Sequence, residues 1–190
     1  MPSKNQKKKI ILINLENFSH QENKEICTIL ESVLKDSCTY IPRVPDLFNN
    51  TLYKFYRDKK LDIHTEMIVS VAEMYQFYKD EIETVYQKIQ VLDDDVKYHV
   101  MITDNYFDSI FLKYLDIQFK NEKRQVLYGF QYIEPSLTFI KYVNDKENPL
   151  LNKRIGDLVM NKPKRCKIIH DVNRKEIIEH LVYCLKHIQK

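Results

Sequence analysis

Strand-length apolar runs alternate with helix-length amphipathic stripes along this chain, and that alternation restricts the fold more than any other feature of the sequence. The first run, Ile10 to Leu15, reads IILINL, and after a polar loop the stretch from Gln21 to Lys35 carries apolar residues at Ile26, Ile29, Leu30, Val33 and Leu34. A short apolar run bounded by polar residues is a buried strand, and spacings of three and four are one face of a helix. The alternation continues to the end. Thr39 to Ile41 is a short strand stopped by Pro42 and Pro45, Asn49 to Lys60 reads as a short helix, and His64 to about Leu92 as a long one. The long stripe runs through Met67, Ile68, Val71, Met74, Tyr75, Tyr78, Ile82, Val85 and Ile89. Strands are expected at Tyr98 to Asp104, Leu137 to Ile140 and Lys167 to Ile169, and helices at Asp108 to Lys120, Leu150 to Met160 and Asn173 to Ile188. Strands joined through helices must run parallel and be covered on both faces. The expected fold is α/β, a three-layer αβα sandwich around a five-stranded parallel sheet. It forms one domain over residues 10–190, after a flexible basic tail at residues 1–9.

Glycine is scarce: the 190 residues include only Gly129 and Gly156. Backbones that wrap phosphate use glycine for close approach and for positive φ angles, so such a loop has little to be built from here. With 30 basic and 27 acidic residues, the small positive excess does not argue for nucleic acid. Part of it sits in the tail, Lys4 to Lys9, where a nucleic-acid contact is the weaker reading and a solvated arm the stronger. No run approaches the roughly 18 apolar residues of a membrane span, and the N-terminus lacks an apolar signal core. Cys27, Cys38, Cys166 and Cys184 are scattered without a Cys-x-x-Cys pair, as in reduced thiols of a cytoplasmic or nuclear protein, and no disulfide is expected.

Three stretches carry a resemblance: LENFSHQENKE from Leu15 to Glu25, SVAEM from Ser70 to Met74, and DNYFDS from Asp104 to Ser109. Their order and spacing resemble thymidylate kinases, over most of the chain from Lys9 to Lys190. The resemblance implies a kinase fold of the phosphate-loop type. That family opens with F-E-G-x-D-x-x-G-K-[ST]-[ST], whose loop amides and helix N-terminus bind phosphate while the lysine and hydroxyl serve phosphate and magnesium. Here Glu16 survives, Asn17 and Glu22 replace glycines, Asn23 stands at the lysine and Glu25 at a hydroxyl. Lys24 reaches the lysine position only through a one-residue slip. The family's F-P-x-R becomes IPRV, which leaves Arg43 one place out of register. F-x-x-[DN]-R becomes SVAEM, with Ser70 at the stacking ring and Met74 at the arginine. D-R-Y-x-x-S keeps Asp104, Tyr106 and Ser109 but replaces its arginine with Asn105. No arginine-rich lid appears between Ile140 and Leu150; Lys153 and Arg154 are candidates for its cations, and a solvated helix face is the stronger reading of both.

Phosphoryl transfer depends on cations that gather the phosphates and offset developing charge. The expectation is therefore a catalytically inactive homologue, with Glu16, Asn23, Lys24, Asp104 and Asn105 as vestigial positions, acting as a structural or protein-interaction module. No cofactor is expected. ATP and magnesium enter only under the alternative of a divergent active nucleoside monophosphate kinase, whose binding residues would be Lys24, Arg43, Ser70, Met74 and Tyr106. A further alternative is a nucleic-acid accessory protein using the tail and tyrosines such as Tyr53 and Tyr56 beside Lys54 and Arg57. The resemblance implies a homodimer through the long helix, residues 64–92, with Met67, Val71, Met74, Tyr75 and Tyr78 as its face; a hetero-complex is the other expected assembly. His180, Cys184 and His187 share a helix face at zinc-like spacing, but three ligands on one helix cannot close around one ion, and no metal site is expected. Asp93 to Asp95 reads as a hydrated turn. Richness in Lys, Asn, Ile and Tyr fits an AT-rich genome, as in some large DNA viruses.

Overall fold

A computed structural model describes residues 9–43, 62–92, 98–114, 132–142 and 149–188. Strand β1 spans Lys9–Glu16, helix α1 His20–Leu34, and a short 3-10 turn Lys35–Ser37 leads into β2, Cys38–Ile41. Helix α2, Ile63–Phe77, continues through a wide turn at Tyr78–Glu83 into α3, Thr84–Val91. Then come β3 (Tyr98–Asp104), α4 (Phe107–Tyr114), β4 (Leu137–Lys141), α5 (Pro149–Asn161), β5 (Cys166–Ile169) and α6 (Arg174–Ile188). The expected short helix at Asn49 to Lys60, the Asp93 to Asp95 turn, the first eight residues and the tyrosines at positions 53 and 56 lie outside the described residues.

All five strands are parallel, in the order β2-β3-β1-β4-β5. β1 is central because its side chains are apolar on both faces: Ile11, Ile13 and Leu15 pack toward α1 and α6, while Leu12 meets α2, α3 and α4. A smaller cluster around Ile140, Ile155 and Leu158 seats α5 on the same side as α4. This is the expected three-layer sandwich with its five parallel strands. Among the described residues no helix is long and apolar enough to cross a membrane.

The long helix departs from the stripe read in the sequence. Ile68 is 54% exposed, and Phe77 takes a buried place instead. The physical reason lies in the regular part of the helix. The buried arc is centred on Met67 and Met74, with Phe77 at its one border and Val71 at the other, and Ile68 falls beyond Val71. The wide turn comes after both Ile68 and Phe77, before Ile82 and Ile89 re-enter the core. Most residues expected to form a dimer face on this helix are buried within the chain. Met67, Val71, Met74 and Tyr78 are buried within the chain, packed against Tyr106, Phe107 and Ile110, and only Tyr75 of that set is half-buried. Side chains already committed to the chain's own core are not available to a partner.

Gly156 sits inside α5, where a Cβ would meet nothing within 4 Å. Glycine in a helix interior carries an entropic cost with no compensation at such an open position. Gly156→Ala is expected to raise stability by about 0.5 to 1 kcal/mol, read as a higher denaturant midpoint with an unchanged slope.

Candidate functional site

The connection leaving β1 runs to α1 on one face of the sheet, and the one leaving β3 runs to α4 on the other. Adjacent parallel strands whose connections depart to opposite faces leave a crevice at their carboxyl ends, where ligands of such sheets bind. Two asparagines shape its rim. Asn17, just after β1, has φ 66°, and Asn105, just after β3, has φ 47°. Both are in the left-handed region, which asparagine tolerates best among residues bearing a Cβ.

Only Asn17, Phe18 and Ser19 separate β1 from α1. Phe18 is buried in the core beneath α1, which pulls this link down onto the sheet. Ser19 caps the helix: its Oγ accepts the Glu22 N–H at 3.3 Å, and its own N–H donates to Glu22 Oε2 at 2.9 Å. This reciprocal pair satisfies two amides that would otherwise face the crevice. From the end of β4, Lys141 Nζ donates to Glu22 Oε1 at 2.7 Å, and the Asn17 amide donates to the Lys141 carbonyl at 3.3 Å. The Lys141 bond, with the Ser19 amide, holds the Glu22 carboxyl below the usual carboxylate range.

Across the crevice, Asp104 is 7% exposed. Its Oδ2 accepts from Asn23 Nδ2 at 3.1 Å and its Oδ1 from the Arg43 backbone N–H at 2.6 Å. Asn23 is thus inward, whereas Lys24 is exposed on the outer side of α1, so a one-residue slip does not bring its ammonium to the crevice. Arg43 does arrive there: its Nη1 donates to the Asn105 carbonyl at 3.1 Å, and its Nη2 lies 3.8 Å from Glu73 Oε2. Being one place out of register had suggested a lost contact. The folded chain instead sets this guanidinium over Asn105, at the position where the resemblance placed an arginine.

The remaining expected contacts are scattered. Ser70 is half-buried on α2, Met74 is fully buried in the core, and the Tyr106 ring lies below the crevice, edge-on to Phe107 at 4.8 Å. Burial drives the Tyr106 phenol far above its ordinary pKa. Arg154 donates to the Leu112 and Lys113 carbonyls, capping the last turn of α4, while Lys153 is exposed. The zinc-like trio also diverges, since Cys184 points inward to the Ser136 carbonyl at 3.7 Å while His187 stacks on Tyr183.

Beneath the crevice lies a polar layer that sequence reasoning missed. Thr103, Asn14 and Thr138 are paired neighbours across β3, β1 and β4 and are fully buried. Asn14 accepts the Tyr106 N–H at 3.2 Å through Oδ1 and donates to Glu16 Oε1 at 2.7 Å through Nδ2. Thr138 donates to Asp108 Oδ2 at 2.8 Å, and Arg165 donates to Asp108 Oδ1. The available signals were polar residues inside apolar strands, Asn14 and Thr138, and an acid four residues after Asp104.

No family model matches this sequence, and no curated protein resembles it closely enough in sequence to count as a relative. Solved structures do match. The thymidylate kinase of Ehrlichia chaffeensis superposes with a TM-score of 0.64 at 15% identity, over 95% of this chain and 97% of that one. The chain has a thymidylate kinase-like fold. The thymidylate kinase of Candida albicans gives a TM-score of 0.57, also at 15% identity, over 96% of this chain and 93% of that one. At such identity the likeness concerns the fold.

Two substitutions separate the layers energetically. Asp108→Ala leaves Arg165 buried without its partner and is expected to cost about 3 to 5 kcal/mol. Glu22→Ala removes a cap at the surface and is expected to cost about 1 kcal/mol. Chemical denaturation of the two variants checks both the magnitudes and their order.

Proposed function

We propose that this chain is a thymidylate kinase-like protein that no longer transfers phosphate and serves as a protein-interaction subunit. What carries this reading is the clasp at the crevice. The first turn of α1, where the fold would receive an anionic ligand, is filled by the chain's own Glu22 carboxylate, bonded to Ser19 and Lys141. Beyond the strand only Asn17 and Phe18 precede the cap, so the chain is already helical from His20, where the resemblance would have a loop wrap a phosphate. Charge points the same way: Lys141, Arg43 and Arg165 each face an internal carboxylate, Glu22, Glu73 and Asp108. Cations already matched in this way have little excess charge to offer a polyphosphate.

The favoured assembly is a homodimer. With Met67, Val71, Met74 and Tyr78 turned inward, the outward side of α2 that would meet a second copy carries Ile68 and Tyr75, one heptad apart. An active but divergent kinase is the second reading, and the observation in its favour is the Arg43 guanidinium over Asn105.

Incubated with ATP, magnesium and thymidine monophosphate, the purified chain is expected to form no diphosphate above a protein-free control and to show no heat of ATP binding. Transfer that is lost on Asp104→Ala would sink the inactive reading and support the second. Light scattering tests assembly separately: a mass twice that of one chain is expected, falling to one chain with Ile68→Glu.

A further inference from the structure

The positive charge of the chain is small in sum but unevenly spread. No acidic residue occurs between Asp157 and Asp171 or after Glu179, and the fold brings these two stretches together at one sheet edge. β5 forms that edge, paired with β4 alone. Lys167, within β5, donates from Nζ to the Pro163 carbonyl at 2.8 Å and sits over the Tyr183 ring of α6, 5.4 Å from its centroid. Lys164 follows Pro163 and is exposed, as is Lys186, three residues after Tyr183. Arg165 is no part of this surface, since it turns inward to Asp108. The acids on α6 lie nearer its start, against basic side chains of their own helix: Glu176 is 3.8 Å from His180 and Glu179 is 4.0 Å from Lys175.

The same surface carries an aromatic stack. Tyr183, 42% exposed, and His187 lie with ring centroids 3.9 Å apart and planes 27° from parallel. His187 Nδ1–H donates to the Tyr183 carbonyl at 2.7 Å, and Lys167 reaches the tyrosine from β5, so both rings are positioned before any partner arrives. Exposed rings of fixed orientation offer π-faces to an unpaired base, and flanking ammonium groups offer charge to its phosphates. An acidic polypeptide would use the ammonium groups alone, and a duplex hides its base faces. We propose that the β5 edge and the last two turns of α6 form a binding surface for single-stranded nucleic acid, with Tyr183 and His187 as the stacking platform and Lys164, Lys167 and Lys186 along the phosphates. This surface lies on the α1 and α6 side of the sheet, away from α2, so it stands or falls independently of the dimer and of the crevice.

Fluorescence anisotropy of a labelled oligothymidylate of about ten nucleotides, titrated with the full chain, tests this. The single strand is expected to bind more tightly than a duplex of equal length and to resist displacement by polyglutamate of equal charge. Tyr183→Ala is expected to weaken binding about tenfold at fixed salt. Lys164→Ala, at an exposed position, is expected to lower the steepness of the log–log salt dependence by about 0.7, the share of one phosphate contact on a single strand. Absence of binding at low salt, equal affinity for the duplex, or equal competition by polyglutamate would overturn the proposal. Binding unchanged by both substitutions would belong to the Lys4 to Lys9 tail and overturn it as well. A salt dependence that falls with Lys164→Ala while Tyr183→Ala leaves affinity intact would reduce the surface to charge alone and reject the stacking platform. Should Tyr183→Ala fail to fold, the preference of the wild-type chain for single strand over duplex decides the platform, and Lys164→Ala decides the location.

Discussion

The pair between Arg165 and Asp108 joins residues 57 positions apart and ties α4 to the entry of β5 across the buried side of β4. Burial works most strongly against the charge of Arg165, but the charge and hydrogen bond of Asp108, together with Cys166 and Glu134, outweigh it and the guanidinium is held more firmly protonated than usual. A buried ion pair is a poor source of net stability, because desolvating both groups offsets most of their attraction. Its effect is to define position. Once Asp108 is fixed by Arg165 and Thr138, the first turn of α4 has one place to lie, and Asn105, Tyr106 and the floor of the crevice follow from it. A purely apolar contact would let α4 slide along the sheet at little cost; this one does not.

Most of the sheet could be read from the sequence because a parallel sheet buries both faces of its strands. Runs such as Ile10 to Leu15 and Tyr98 to Asp104 are apolar for that reason, and length alone separated them from the helices. Helix faces were legible where the period was regular, as in α1 with Ile26, Ile29 and Leu30 in the core. They were not legible through Tyr78–Glu83, because a stripe drawn at 3.6 residues per turn cannot anticipate one turn that holds more. Ile68 and Phe77 precede that turn, and they were misjudged for another reason: the buried arc of α2 is narrower than the apolar stripe on the Ile68 side and extends to Phe77 on the other.

The crevice was less legible, and the reasons lie in distance and in residue substitution. Asn17 and Asn105 supply positive φ angles that glycine would ordinarily supply, so scarcity of glycine did not mean loss of left-handed backbone at the rim. Arg43 was judged by its register in a motif, yet a long guanidinium reaches past an offset of one residue, and its backbone N–H is independently held by Asp104. Lys141 and Glu22, 119 residues apart, meet only because β4 pairs beside β1. No local pattern in the sequence announces such a pair. Asn23, by contrast, lies on the buried face of α1 that its helical spacing predicts, three residues before Ile26, and there its amide donates to Asp104.

Parallel strands that end together, with a helix starting at their carboxyl ends, concentrate unpaired backbone N–H groups and the positive end of the helix dipole at one place. Those groups must be satisfied by a ligand or by the chain itself. In this chain Ser19 and Glu22 satisfy two of them from within one turn, Lys141 neutralises the carboxylate so recruited, and Phe18 in the core keeps the link short. Each element depends on the others. Without Lys141 the carboxylate would lose its counter-charge, and without the anchored Phe18 the Ser19 cap would lose its geometry. Under the function proposed above, a fold relieved of binding phosphate keeps its shape by occupying its own anion site.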